Sequence, residues 1–333
     1  LLTVTLYTRK GCGLCEEVKA NLAALEKDYP HRLAEVDIES DPALLKKYLV
    51  SIPVLEIGPY TISAPITQQQ LQITLGAASE RRGDLEKIGG AAYEARVRRG
   101  ESVSASDRFS YWISRHYLLL LNLFIFLYVG LPFLAPTLME AGMELPARAI
   151  YTIYSPLCHQ FGFRSFFLYG EQSYYPLKEA GLKGVETFDQ LSGLKNLHNP
   201  NSVDRLAARQ FVGDQTTGYK IAVCERDVAI YLGLLLFGLL FALTNRRIPP
   251  LHWMIWLIIG LGPIGLDGFS QLFSQFEFSW LTNILPYRES TPFLRVLTGA
   301  LFGFATAWFA YPTIEESMAE TRAFFIKKFA IAK

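Results

Sequence analysis

Leu1-Leu2-Thr3-Val4-Thr5-Leu6-Tyr7-Thr8-Arg9-Lys10-Gly11-Cys12-Gly13-Leu14-Cys15 is the stretch on which the fold of the N-terminal part turns. Residues 1–7 alternate in the period of two expected of a strand with one face on a core. Residues 8–11 carry turn character, and two cysteines three positions apart then lead into Val18, Leu22 and Leu25, which recur at helical spacing. A strand is expected over residues 33–38, a short helix around 42–48, and another strand at 54–57. Residues 1–8 lack a basic region running into an apolar one, so no signal peptide is expected there.

A cysteine pair at a strand-to-helix turn has chemical consequences. Orphan backbone amides and the helix dipole favour thiolate over thiol, which makes Cys12 a candidate nucleophile. Cys15, one turn on, is within reach to resolve a mixed disulfide, and Lys10 adds positive potential. Ile52-Pro53, just before the third strand, suits a cis-proline facing the cysteines. The stretches Tyr7 to Cys15, Val36-Asp37-Ile38 and Ser51-Ile52-Pro53-Val54 resemble a glutaredoxin-like domain of thioredoxin fold, over Leu1 to about Gly76. The resemblance implies that Cys12 attacks, that Cys15 resolves, that Pro53 completes the site, and that protein thiols and disulfides are the partners. Glutaredoxins hold glutathione with a Gly-Gly-x-Asp stretch after the third strand. This chain reads Ile62-Ser63-Ala64-Pro65-Ile66 there, which argues against glutathione as a cofactor. A zinc site at the two cysteines would need two further ligands, and His31 alone is near.

Beyond about residue 100 the composition changes. Half of the 333 residues are hydrophobic and only 19% are charged, which excludes disorder as the dominant state. With 32 basic and 31 acidic side chains the net charge is +1, leaving no basic field to hold nucleic acid. Four cysteines exclude a disulfide-rich secreted scaffold. Crossing a bilayer core of ~30 Å takes about 20 mostly apolar residues. Segments 118–139, 228–244, 251–273 and 293–311 meet that requirement, the third containing Asp267 and the fourth Arg295.

The expected architecture is therefore an α/β thioredoxin-like domain (1–80), a helical linker (81–116) and an all-α bundle of four transmembrane helices (117–313). An interfacial tail (314–333) follows. Basic residues flank the spans at Arg96, Arg98, Arg99, Arg108 and Arg115, at Arg246 and Arg247, and at Lys327 and Lys328. This bias places both termini in the cytoplasm, with loop 140–227 and turn 274–292 outside an inner membrane. Phe324, Phe325 and Phe329 among lysines suggest a tail lying on the lipid surface. Residues 147–157 read as its outer counterpart.

On this topology four polar motifs meet at the outer surface: Cys158-His159-Gln160, Cys224-Glu225-Arg226-Asp227, Asp267-Gly268 with Gln271, and Arg288-Glu289-Ser290-Thr291. An ionisable residue within a span is costly, which marks Asp267 as a functional candidate; pairing with Arg295 or Arg288 is the structural alternative. With Arg164-Ser165-Phe166, Ile230-Tyr231-Leu232-Gly233 and Thr298-Gly299, these motifs resemble a membrane family of unknown function (domain of unknown function 2085) over residues 151–311. Residues 171–220 read as an insertion. The resemblance implies three cysteines and a histidine at one place, a metal-ligating set. This chain has Cys158, His159, Cys224 and, in place of a cysteine, Asp227. A Cys158–Cys224 disulfide in an oxidising compartment is expected ahead of a metal.

The functional expectation is a membrane-anchored thiol–disulfide oxidoreductase. The alternative is a non-catalytic accessory subunit of a larger membrane complex, one carrying electrons, with the aromatic loop from Phe161 to Tyr175 and the tail as contact surfaces. A third route passes electrons between Cys12 and the outer cysteines through a quinone.

Overall fold

The computed structural model describes residues 1–198, 202–275 and 287–333. Two compact units emerge: Leu1–Tyr117 together with Glu315–Lys333, and Leu118–Ile314. The expected turn 274–292 falls largely outside the described residues.

The first unit is α/β. Its elements run β1 (Leu2–Thr8), α1 (Gly13–Leu25), β2 (His31–Asp37), α2 (Pro42–Tyr48), β3 (Val54–Ile57), β4 (Tyr60–Ser63) and α3 (Gln68–Glu101). The sheet order is β2-β1-β3-β4, with β2 parallel to β1 and the other neighbours antiparallel. Leu2, Val4 and Leu6 leave one face of β1 and meet Val18, Leu22 and Leu25 of α1 and Leu71, Leu75 and Ala78 of α3. Tyr7 leaves the other face for a second core with Val36, Ile38, Leu44, Tyr48 and Val54. Strand β4 was not expected, because as an edge strand with exposed residues it shows no burial alternation. Past Ala78, α3 has no buried residue, and Gly90, at φ 47°, interrupts it.

One face of the tail packs on the first unit, while Phe324 stays exposed. Helix α10 (Pro292–Ala332) is continuous, and Ala323, Ile326 and Ala330 pack on the Tyr7–Tyr48 core. Arg322 reaches Asp41 at 2.6 Å, the Ser114 carbonyl at 3.0 Å and Glu315 at 2.6 Å. Lys327 pairs with Glu56 at 2.5 Å and Lys328 with Asp107 at 2.8 Å. The cations that suggested a lipid-facing tail are spent on carboxylates of the same unit.

The second unit is mostly helical. Four helices are long and apolar enough to cross a membrane: α4 (Ala105–Glu140), α8 (Glu225–Leu243), α9 (Trp253–Ser274) and α10. Apolar side chains gain nothing from leaving lipid for one another, so helices in a bilayer associate by close packing at small residues. Here a Cβ on Gly303 would lie 2.0 Å from the Ile230 carbonyl oxygen, and one on Gly233 would lie 2.8 Å from that of Ala300. Within α9, Pro263 lacks an amide proton; just before it the ladder widens to a π-helix over Trp256–Leu261, closed by Gly262 N–H donating to the Leu257 carbonyl.

Between α4 and α8 the chain builds α5 (Glu144–Tyr154), α6 (Phe188–Ser192), α7 (Val203–Gln210) and a small sheet ordered β5 (Phe167–Leu168), β7 (Gly218–Lys220), β6 (Gly213–Asp214). Phe161, Phe163, Phe167 and Tyr175, expected as a contact surface, are instead interior, packed with Leu177, Phe188, Leu197 and Ala208. The segment read as an insertion supplies five of those eight core residues, and its last strand pairs with β5. Helix α5 likewise buries Ala147, Tyr151 and Tyr154 in a cluster with Ala135, Met139, Ile221 and Val223.

Candidate functional site

Cys12 is the N-cap of α1, and its sulfur accepts the Cys15 backbone N–H at 3.3 Å. The two cysteines are joined as a disulfide. Cys12 is half-buried and Cys15 fully buried, so a partner can reach only the first sulfur. The Ile52–Pro53 peptide is cis, as is Ala64–Pro65. Pro53 lines a cleft of about 400 Å³ with Leu14, Glu17, Asn21, Ala64 and Pro65. Thr67 and Gln68, at the start of α3, complete that wall, and a capping box between Thr67 and Gln70 satisfies the helix end. The cleft thus offers a mixed wall, apolar at Leu14, Pro53, Ala64, Pro65 and Ile66 and polar at Glu17, Asn21, Thr67 and Gln68.

At the end of the second unit where α4 finishes and α8 begins lies a network of arginines and carboxylates. Asp267 of α9 accepts from Arg226 at 2.5 Å, from Arg288 at 2.8 Å and from the Ser290 hydroxyl at 2.7 Å. Glu289 takes a two-pronged contact from Arg164, at 2.8 and 2.9 Å, and pairs with Arg295, which also reaches Glu225 at 3.2 Å. Arg288 is thus a partner of Asp267 as anticipated, whereas Arg295 is committed to the two glutamates. Burial alone would raise the Glu289 carboxyl, but the Arg164 and Arg295 guanidiniums hold it below the usual carboxylate range. Gln271 is buried beside it. Such a network fixes its members in one arrangement, because removing any charge leaves its partner buried and unpaired.

Cys158 and Cys224 do come together, but as free thiols rather than the expected disulfide. The Cys224 amide donates to the Cys158 sulfur at 3.3 Å. Asp227, one turn into α8, joins them, and one ligand atom from each of the three lies within 4.8 Å of the others. His159 does not take part. It is exposed and stacks on Phe161 with centroids 5.6 Å apart, since its neighbours Cys158 and Gln160 both turn inward. Hydrogen bonding from the Cys224 thiol draws the Cys158 thiol down, and the same contact with burial pushes Cys224 up.

Lys220 had no sequence signal. It is buried, its ammonium bonds to the Gln160 carbonyl at 2.7 Å and the Arg209 carbonyl at 2.6 Å, and burial lowers its pKa to about 7. Glu225 and Glu289 stood within quoted motifs, yet nothing in their spacing distinguished them from solvent-facing acids.

Residues 3–76 match the family described as a glutaredoxin-like domain (DUF836), and residues 207–309 match the family described as a predicted membrane protein (DUF2085). The chain is thus a glutaredoxin-like domain fused to a predicted membrane domain. The second match includes Cys224, Asp227, Asp267, Gln271 and Arg288, while Cys158 lies before it. Uncharacterized protein MJ1492 of Methanocaldococcus jannaschii is 25% identical over 213 residues, which is 61% of this chain and 96% of that protein. No solved structure shows significant similarity.

Proposed function

We propose that this chain is a membrane-anchored thiol–disulfide oxidoreductase. The observation that carries the reading is the asymmetry of the pair: Cys12 caps α1 and is partly open, while Cys15 is sealed one turn behind it. In the reduced state the Cys12 thiolate attacks one sulfur of a partner disulfide, forming a mixed disulfide and releasing the other sulfur as a thiolate. Cys15, deprotonated, then attacks the Cys12 sulfur, which restores the Cys12–Cys15 bond and frees the partner's second thiol. Two electrons pass to the partner, and a dithiol protein must return them. The cleft beside Pro53 is where the partner's chain would lie. The test is disulfide reduction by the full protein in detergent, with a dithiol as reductant. Cys12→Ser abolishes it, and undiminished turnover in that variant refutes the reading.

The basic residues around the spans support an inner-membrane placement with both termini cytoplasmic and loop 140–227 outside. A membrane-impermeant thiol reagent on intact cells then leaves Cys12 and Cys15 unlabelled after reduction, and labelling of Cys12 from outside reverses the orientation.

A further inference from the structure

We infer that Cys158, Cys224 and Asp227 form a binding site for a divalent metal ion of the zinc class. The inference stands apart from the Cys12–Cys15 reading, because it concerns other residues in the other unit.

Three features point to a metal. The first is the donor set. Two sulfurs and a carboxylate oxygen lie within 4.8 Å of one another, close enough for one ion to touch all three after small side-chain adjustments. Thiolate and carboxylate ligands suit borderline-soft divalent ions, zinc foremost.

The second feature is how the protein aims these groups. Cys224 and Asp227 stand at the N-cap and third position of α8, hence on the same turn, and Cys158 arrives from the segment after α5. The Cys224 amide donates to the Cys158 sulfur, the contact that steadies a thiolate ligand from outside the coordination shell. Cys158 itself is held in the cluster with Tyr151, Tyr154 and Val223, so its position is set by packing.

The third feature is the charge left over. Every arginine near this turn is occupied: Arg226 with Asp267, Arg164 with Glu289, and Arg295 with Glu225 and Glu289. The Lys220 ammonium bonds to two backbone carbonyls. Among the described residues Asp227 has no basic partner and lies instead with the two sulfurs, so a divalent cation is the charge that would join all three groups.

The three ligands leave one tetrahedral position unfilled by His, Cys, Asp or Glu among the described residues. Cys224 and Asp227 are part-exposed, so that position is open to water or a small anionic or thiol ligand. An open position is the mark of a reactive or exchange site rather than a closed structural one.

The experiment uses the full chain, purified anaerobically in detergent, with elemental analysis for bound zinc and cobalt(II) titration of the stripped protein. The expected result is about one zinc per chain, and a thiolate-to-cobalt charge-transfer band on cobalt addition. Both persist in the Cys12→Ser/Cys15→Ser double variant and vanish in Cys158→Ser. Asp227→Asn keeps the shape of the side chain, and it weakens cobalt binding beyond the roughly 10–100-fold that loss of an outer-shell partner costs. The inference is overturned by a reduced full chain that binds neither ion, or by a cobalt band that follows Cys12 and Cys15. Unchanged affinity in Asp227→Asn, or a Cys158–Cys224 disulfide in the anaerobically isolated protein, overturns it equally.

Discussion

Arg322 and Asp41 form a buried ion pair, 2.6 Å apart, that joins the tail of α10 to the N-cap of α2. Asp41 also caps that helix through the Ala43 amide at 2.8 Å, so one carboxylate orders two elements. Arg322→Met removes the cation and leaves Asp41 buried. Breaking such a pair from one side costs about 3–5 kcal/mol. Limited proteolysis should then cut the tail between residues 315 and 333 faster than in the parent, and the Asp41→Asn/Arg322→Met double variant should recover part of the loss.

The dithiol makes a directional prediction. Cys15→Ser retains the open Cys12 and loses the resolving thiol, so it accumulates a mixed disulfide with its partner. Non-reducing electrophoresis reads this as an adduct that disappears with reductant and is absent from Cys12→Ser.

Asp267 accepts from two arginines and Ser290 at once. Asp267→Leu suits lipid better, yet it strands two guanidiniums, and its apparent melting temperature in detergent should fall well below that of the parent. Asp267→Asn, still an acceptor, should fall less. A leucine variant as stable as the parent would show that the network contributes nothing to the bundle.

Gly303 tests the close approach of α8 and α10. A valine there drives carbon into the Ile230 carbonyl, and overpacking of this kind costs about 1–3 kcal/mol or more. Thermal unfolding in detergent and the yield of folded protein should both drop for Gly303→Val. Gly130, with nothing within 4 Å of its Cβ position, should accept alanine with little change.

Lys220 gives a pH signature. Its pKa is lowered to about 7 by burial, while the unfolded value is about 10.4. Between those limits the unfolded chain holds a proton that the folded chain does not, so stability from this group rises with pH. The difference in apparent melting temperature between the parent and Lys220→Met should therefore shift towards the parent from pH 7 to pH 10. A flat difference would mean that the buried ammonium stays charged throughout.

What could be read from the chain depended on whether the signal was local. The period of two in residues 1–7, the cysteine spacing and the uninterrupted apolar runs each report a nearby physical demand, and the α/β domain followed by four apolar helices follows from them. Edge strand β4 has no buried face to announce it. The aromatic loop looked like a surface because a run of Phe and Tyr carries no periodicity, and its closure depends on Phe188 and Leu197, far along the sequence. The tail's lysines could have faced lipid or carboxylates, and only the positions of Glu56 and Asp107 decide between them. Partner choice among Arg226, Arg288 and Arg295 was likewise a matter of three-dimensional neighbourhood, which motif order does not encode.

The π-helical stretch at Trp256–Leu261 sets the rotational phase of everything after it in α9. A residue in an α-helix advances the side-chain direction by about 100°, and a widened turn carries one residue more than the regular ladder. Asp267 and Gln271 face inward in the register that this extra residue provides. Shortening the stretch by a single residue would leave every later apolar side chain as compatible with lipid as before, yet it would turn Asp267 about a quarter of a revolution away from Arg226 and Arg288. The placement of a charge inside the membrane half is thus controlled, at a distance, by a count of residues.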